Sequence, residues 1–83
     1  MAETTTDHET IRKWAEERDG RPARVKGTGD GEDAGLLRID FGEPEENLEE
    51  ITWDEFFDTF EESGLALLYE DERNSRFSKL VRR

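Results

Sequence analysis

The sequence predicts a small α+β domain: an antiparallel sheet of three to four strands with two helices on one face, in the order α-β-β-α-β-β. Three observations carry this. Two Thr-x-x-Glu capping boxes each precede apolar residues at helical spacing. Residues 36–41 alternate apolar and charged with the period of a strand. The remaining apolar runs are short and bounded by turn residues, so they suit strands better than a third long helix.

Met1 to Thr5 is polar and is expected to be a disordered N-terminus, leaving residues 6–83 as a single domain. Thr6 and Glu9 form the first box, with Thr6 as N-cap of a helix running from Asp7 to Arg18. Ile11, Trp14 and Ala15 line its apolar side, and Asp19-Gly20 followed by Pro22 stops it. Ala23 to Lys26 reads as a short strand. The glycine-rich run 27–35 reads as a loop, and Leu36 to Phe41 as a strand that turns Leu37, Ile39 and Phe41 to one face. Residues 42–50 form an acidic connector.

The second helix is specified best. Thr52 and Glu55 make a capping box, Ile51 can staple onto Phe56, and Trp53, Phe56, Phe57 and Phe60 share one face. Gly64 suits the left-handed position that ends a helix. Leu65 to Glu70 is an almost continuously apolar strand. Residues 76–81 fit either period, and a hairpin partner for Leu65–Glu70 is the preferred reading. The expected core is Trp14, Leu37, Ile39, Phe41, Trp53, Phe56, Phe60, Leu67 and Tyr69.

Leu, Ile, Val and Phe make up 17 of 83 residues, near the limit below which highly charged chains stay unfolded. Eight aromatics, each able to bury roughly 150–250 Å², tip the balance towards a folded domain. The absence of cysteine excludes disulfides, thiolate metal sites and cysteine nucleophiles. No run approaches the roughly 20 apolar residues that span a membrane, and no signal segment follows Met1, so a cytoplasmic location is expected.

Little in the chain resembles a catalytic constellation. Gly27, Gly29 and Gly31 suggest a phosphate loop, but the run leads into a strand and carries Asp30, Glu32 and Asp33, which repel phosphate. Those acids match a calcium loop only in part, since Phe41 stands where its final glutamate belongs. His8, the one histidine, reads as an exposed first-turn residue, and Ser63, Ser75 and Ser78 lack a nucleophile-elbow setting. No catalytic, cofactor or metal residues are assigned, no cofactor is expected and the protein is not expected to be an enzyme.

Charge is distributed unevenly. There are 23 acidic and 12 basic residues, for a net charge of −11, and nine of the bases are arginine. Residues 73–83 carry five bases and no acid, and six others lie between Arg12 and Lys26. Arg24, Lys26, Arg76, Lys79, Arg82 and Arg83 are therefore a candidate binding patch, set against the alternative that these bases pair with the chain's own carboxylates. The leading expectation is a non-enzymatic protein-interaction module, monomeric or weakly dimeric, with another protein as partner. A nucleic-acid-associated protein using that patch is the alternative, or an acidic mimic of nucleic acid; no membrane partner is expected.

The segments His8-x-x-Ile11-x-x-Trp14-Ala15-Glu16, Arg21-Pro22-Ala23, Val25-Lys26-Gly27-Thr28-Gly29-Asp30, Leu37-Arg38-Ile39-Asp40-Phe41, Trp53-x-Glu55-Phe56-Phe57 and Ser75-Arg76-Phe77-x-Lys79-Leu80-Val81 resemble a family of small, stand-alone prokaryotic proteins of unknown function. Some of its members carry a glucan-branching-enzyme label. The resemblance spans nearly the whole chain and implies a self-contained domain, with no catalytic residues to carry over. A branching enzyme needs a large barrel with a carboxylate nucleophile, which 83 residues cannot build.

The acidity is greater than the family resemblance leads one to expect, and it reads as adaptation to high salt. Self-repulsion at −11 opposes folding in dilute buffer. The screening length falls from about 10 Å at 0.1 M salt to about 3 Å at 1 M, which removes most of that repulsion. Thermal melts from 0.1 M to 2 M salt should therefore show a rising midpoint. A flat or falling midpoint would overturn the adaptation argument.

Overall fold

The computed structural model describes residues 2–26, 36–42 and 46–83. It shows the α+β class and the expected succession of elements, with two strands added. These are β1 (Ala2–Thr5), α1 (His8–Glu16), β2 (Gly20–Val25), β3 (Leu37–Phe41), β4 (Leu48–Glu50), α2 (Trp53–Glu62), β5 (Leu65–Glu70) and β6 (Ser78–Arg82). The glycine-rich phosphate-loop and calcium-loop candidates at 27–35 lie outside the described residues.

The strands form two three-stranded antiparallel sheets, β1-β5-β6 and β3-β2-β4, in place of the single sheet expected. Both departures in strand count come from segments without apolar alternation. Ala2–Thr5, expected to be disordered, pairs along β5 from Ala2 opposite Glu70 to Thr5 opposite Leu67. Leu48–Glu50, within the acidic connector, pairs with β2. Backbone pairing on an available sheet edge makes these strands, and their side chains remain largely exposed. The ambiguous C-terminal segment is a strand, with Leu67 opposite Leu80 in a hairpin on β5.

Helix α1 starts one residue later than the first capping box predicts. Asp7, not Thr6, is the N-cap: its carboxylate accepts the Thr10 N–H at 3.0 Å and the Thr10 hydroxyl at 2.6 Å. A carboxylate is the stronger acceptor and complements the positive end of the helix. Thr5 assists by accepting the Asp7 N–H at 3.1 Å. At the other end, α1 stops at Glu16, and Asp19 rather than Gly20 takes the left-handed conformation, with φ 59°. Gly20 opens β2 instead, where a Cβ would lie 2.8 Å from both Ile39 Cγ2 and Phe41 Cε1 and 3.1 Å from the Ala15 carbonyl. Close packing between helix and strand, not turn geometry, requires glycine there.

Pro22 sits in the central strand β2, where a missing N–H normally interrupts a ladder. Its neighbour β4 is paired only from Glu50, opposite Ala23, onwards, so Pro22 lies beyond that ladder and still accepts the Ile51 N–H at 3.0 Å. Helix α2 has the predicted reciprocal box, with Thr52 and Glu55 each bonding the other's backbone N–H, and Gly64 has φ 60°.

Both helices pack on the same side of the strands. Trp14 of α1 meets Phe41 of β3 and Tyr69 of β5 edge to face, at centroid distances of 5.8 and 5.7 Å, so one side chain joins the two sheets. Its indole N–H donates to the Glu70 carbonyl at 2.8 Å. Phe56 and Phe60 of α2 are fully buried in the same cluster with Ile11, Ala15, Leu37, Ile39 and Leu67. Seven of the nine expected core residues are buried; Phe41 and Trp53 are half-buried against them.

Two substitutions separate packing from capping. Gly20→Ala is expected to cost about 1–3 kcal/mol through overpacking against Ile39, Phe41 and the α1 backbone. Thr52→Ala should cost about 1 kcal/mol by removing the α2 cap. Urea unfolding of both variants measures the two costs.

Candidate functional site

The six candidate patch residues lie on or beside β2 and β6 and in the turn before β6. Arg24, on β2, gives Nε and Nη2 to Glu49 Oε1 of β4 at 2.9 and 2.7 Å. Lys26 lies just past β2 with an exposed side chain, and its N–H donates to the Asn47 carbonyl at 2.8 Å. Arg83 donates to the Leu65 carbonyl at 2.6 Å and to Glu61 Oε2 at 2.8 Å. Arg82 is exposed at the β6 position opposite Leu65. Arg76 lies over the Phe41 ring, 5.9 Å from its centroid. Arg24 is opposite Leu37, four residues along β3 from Phe41, so Arg24 and Arg76 stand about 13 Å apart along the strand.

Lys79 belongs to a different grouping, shared with Arg38, a base the sequence did not single out. Strands β3 and β6 are each an edge of their sheet and lie beside one another, yet no ladder joins them. A groove of about 330 Å³ runs between them, lined by Arg38, Ile39, Phe77, Ser78, Lys79 and Leu80. None of the six is acidic, in a chain with 23 acids among 83 residues. Phe77 and Leu36 are the two exposed large apolar side chains among the described residues, 49% and 55% accessible, and each immediately precedes one of these strands. Among the described residues, no carboxylate comes within ion-pair distance of Arg38, Arg76 or Lys79. Sequence reading missed Arg38 because it alternates within a strand, which looks like an ordinary wet face. Only the adjacency of β3 and β6 makes it part of a groove.

Other arginines are structural. Arg18, 8% accessible, donates to the carbonyls of Trp14, Glu72 and Ser75 at 3.0, 2.8 and 2.7 Å and stacks on Trp14 at 4.6 Å. It thereby ties the β5–β6 turn to α1. Arg21 reaches Asp40 at 3.6 Å, Glu50 at 3.7 Å and the Gly42 carbonyl at 2.6 Å, which accounts for a buried aspartate on the helix-free face.

His8 has a partner that its sequence setting did not show. Its Nε2 donates to Glu61 Oε2 at 2.7 Å, and its ring stacks on Phe57 at 4.0 Å. Glu61 also receives Arg83, so the start of α1, the end of α2 and the residue after β6 meet at one carboxylate. The adjoining hollow is lined by His8, Glu9, Arg12, Trp53, Asp54 and Phe57 and presents no hydroxyl or thiol for the imidazole to activate. A larger hollow, between the end of α1, the start of β2 and the start of α2, presents Glu16, Asp19 and Glu50 beside Arg21 and Trp53. Among the described residues, no group of three or more His, Asp or Glu side chains is arranged to hold a metal ion. Among the described residues, no helix is long and apolar enough to cross a membrane.

No family model, curated protein or solved structure matches this chain. The fold and surface define a class, a small two-sheet α+β domain with a groove between two sheet edges.

Hydrogen bonds from Arg83, and then from His8, hold the Glu61 carboxyl below the usual glutamate range. A carboxylate with a depressed folded-state pKa adds stability above its unfolded pKa, and that contribution is lost as pH falls through the folded value. Carboxyl titration followed by carbon NMR should place Glu61 below an ordinary glutamate. Arg83→Ala should raise it more than His8→Ala does. Equal effects would contradict this ordering of causes.

Proposed function

We propose that the protein is a non-enzymatic interaction module and that its partner is another protein. The β3–β6 groove carries this reading. It combines two sheet edges that, among the described residues, pair with no further strand, an exposed phenylalanine and two bases without an acid. Exposed apolar side chains beside an open edge are the features through which sheets recruit further chains. The hollow beside His8, open and without a nucleophile, gives no comparable support to an enzyme.

The grouping of Arg38 and Lys79 supports the nucleic-acid alternative. Against it stand the net −11, which repels a polyanion, and the engagement of Arg24 and Arg83 by Glu49 and Glu61.

The three lysines, Lys13, Lys26 and Lys79, mark separate elements, so amine-reactive crosslinking reports which face is occupied. Crosslinking in extract at high salt, followed by mass spectrometry, should recover a protein attached at Lys79 with Lys13 unmodified by partner. Recovery of no protein at Lys79 would overturn the proposal.

A further inference from the structure

The backbone phase of the two sheets shows what the groove offers. Val25 donates to the Leu36 carbonyl at 2.9 Å, so Leu36, Arg38 and Asp40 turn their peptide groups towards β2. In an antiparallel ladder the intervening residues turn theirs the other way. Leu37, Ile39 and Phe41 therefore turn N–H and C=O to the outer edge of β3, where the Leu37 carbonyl accepts Arg38 Nη1 at 3.1 Å. On β6, Glu70 donates to the Phe77 carbonyl at 3.3 Å and Arg83 to the Gly64 carbonyl at 2.9 Å. Odd-numbered residues there face β5, so Ser78, Leu80 and Arg82 present their peptide groups outwards. The two outward rows confront one another across the groove.

Side chains on the two walls alternate as well. Ile39 and Leu80 turn towards the shared core, whereas Arg38 and Lys79, one residue away on their strands, turn to the helix-free face. A strand lying between β3 and β6 would thus meet aliphatic neighbours on one face and a cation on each side of the other. Cross-strand neighbours of opposite charge stabilise such pairings, and like charges oppose them.

From this juxtaposition we propose that the groove binds an extended segment of a partner protein in which carboxylates alternate with small apolar residues. The segment adds a strand that joins the two sheets into one. Its carboxylates lie between Arg38 and Lys79, its apolar side chains face Ile39 and Leu80, and Phe77 covers one end. Some Cα atoms of β3 and β6 lie within 8 Å of each other. A strand between them needs about 9.5 Å, so the edges must part by at least about 1.5 Å on entry. The proposal rests on the interaction-module reading and specifies the partner's chemistry.

The probe is a fluorescein-labelled eight-residue peptide of alternating glutamate and valine, titrated into the full chain at 0.1 M and 1 M salt and followed by anisotropy. Saturable binding is expected, at least tenfold weaker when alternate peptide amides are N-methylated and absent when lysine replaces glutamate. Arg38→Ala and Lys79→Ala should each weaken it at least tenfold. Arg12→Ala, on α1, should not; circular dichroism confirms that the variants are folded. The proposal is overturned by no binding at either salt, by equal binding of the methylated peptide, by equal loss in Arg12→Ala, or by a single-stranded DNA 20-mer that displaces the peptide. If the peptide fails while crosslinking still recovers a protein, the interaction-module reading stands and this one falls.

Discussion

The indole of Trp14 is the contact on which the rest of the structure depends. It touches Phe41 in one sheet and Tyr69 in the other, caps the end of β5 through Glu70 and carries the Arg18 guanidinium on its face. Three-stranded sheets of three- to six-residue strands need a hydrophobic face to pack before they are stable. A large aromatic side chain shared between them lets both use one core. Phe56 and Phe60 complete it from α2, so ring contacts supplement the aliphatic side chains in the core.

Because the sheets share a core without sharing a ladder, β3 and β6 remain open edges. Natural sheets protect such edges with charge or cover them. Here Arg38 and Lys79 supply the charge, positive on a protein that is otherwise strongly negative. That contrast gives the groove its chemical character. A groove of the opposite sign would merge with the general acidic surface and select nothing.

The arginines divide by environment. Arg18 satisfies backbone carbonyls in a buried position, where a planar group with several donors serves better than a lysine ammonium. Arg24 and Arg83 are held by carboxylates on neighbouring elements, while Arg38 and Lys79 line the groove. Basic residues close in sequence thus serve separate purposes, because adjacent strand residues point to opposite faces and neighbouring strands redistribute them.

The sequence by itself determined the α+β class, both helices, the strands β2, β3, β5 and β6, the Thr52–Glu55 box and most of the core. These depend on local periodicity and capping, which residues a few positions apart specify. Tertiary structure decided the rest. β1 and β4 exist because a partner edge was available, so Ala2–Thr5 and Leu48–Glu50 carry no apolar alternation to reveal them. Asp7 rather than Thr6 is the N-cap because its carboxylate is the stronger acceptor at the positive end of the helix. Arg38 and Lys79, 41 positions apart, became neighbours only when the two sheets folded around Trp14. Proximity of that kind is set by long-range packing, and no local pattern in the chain encodes it.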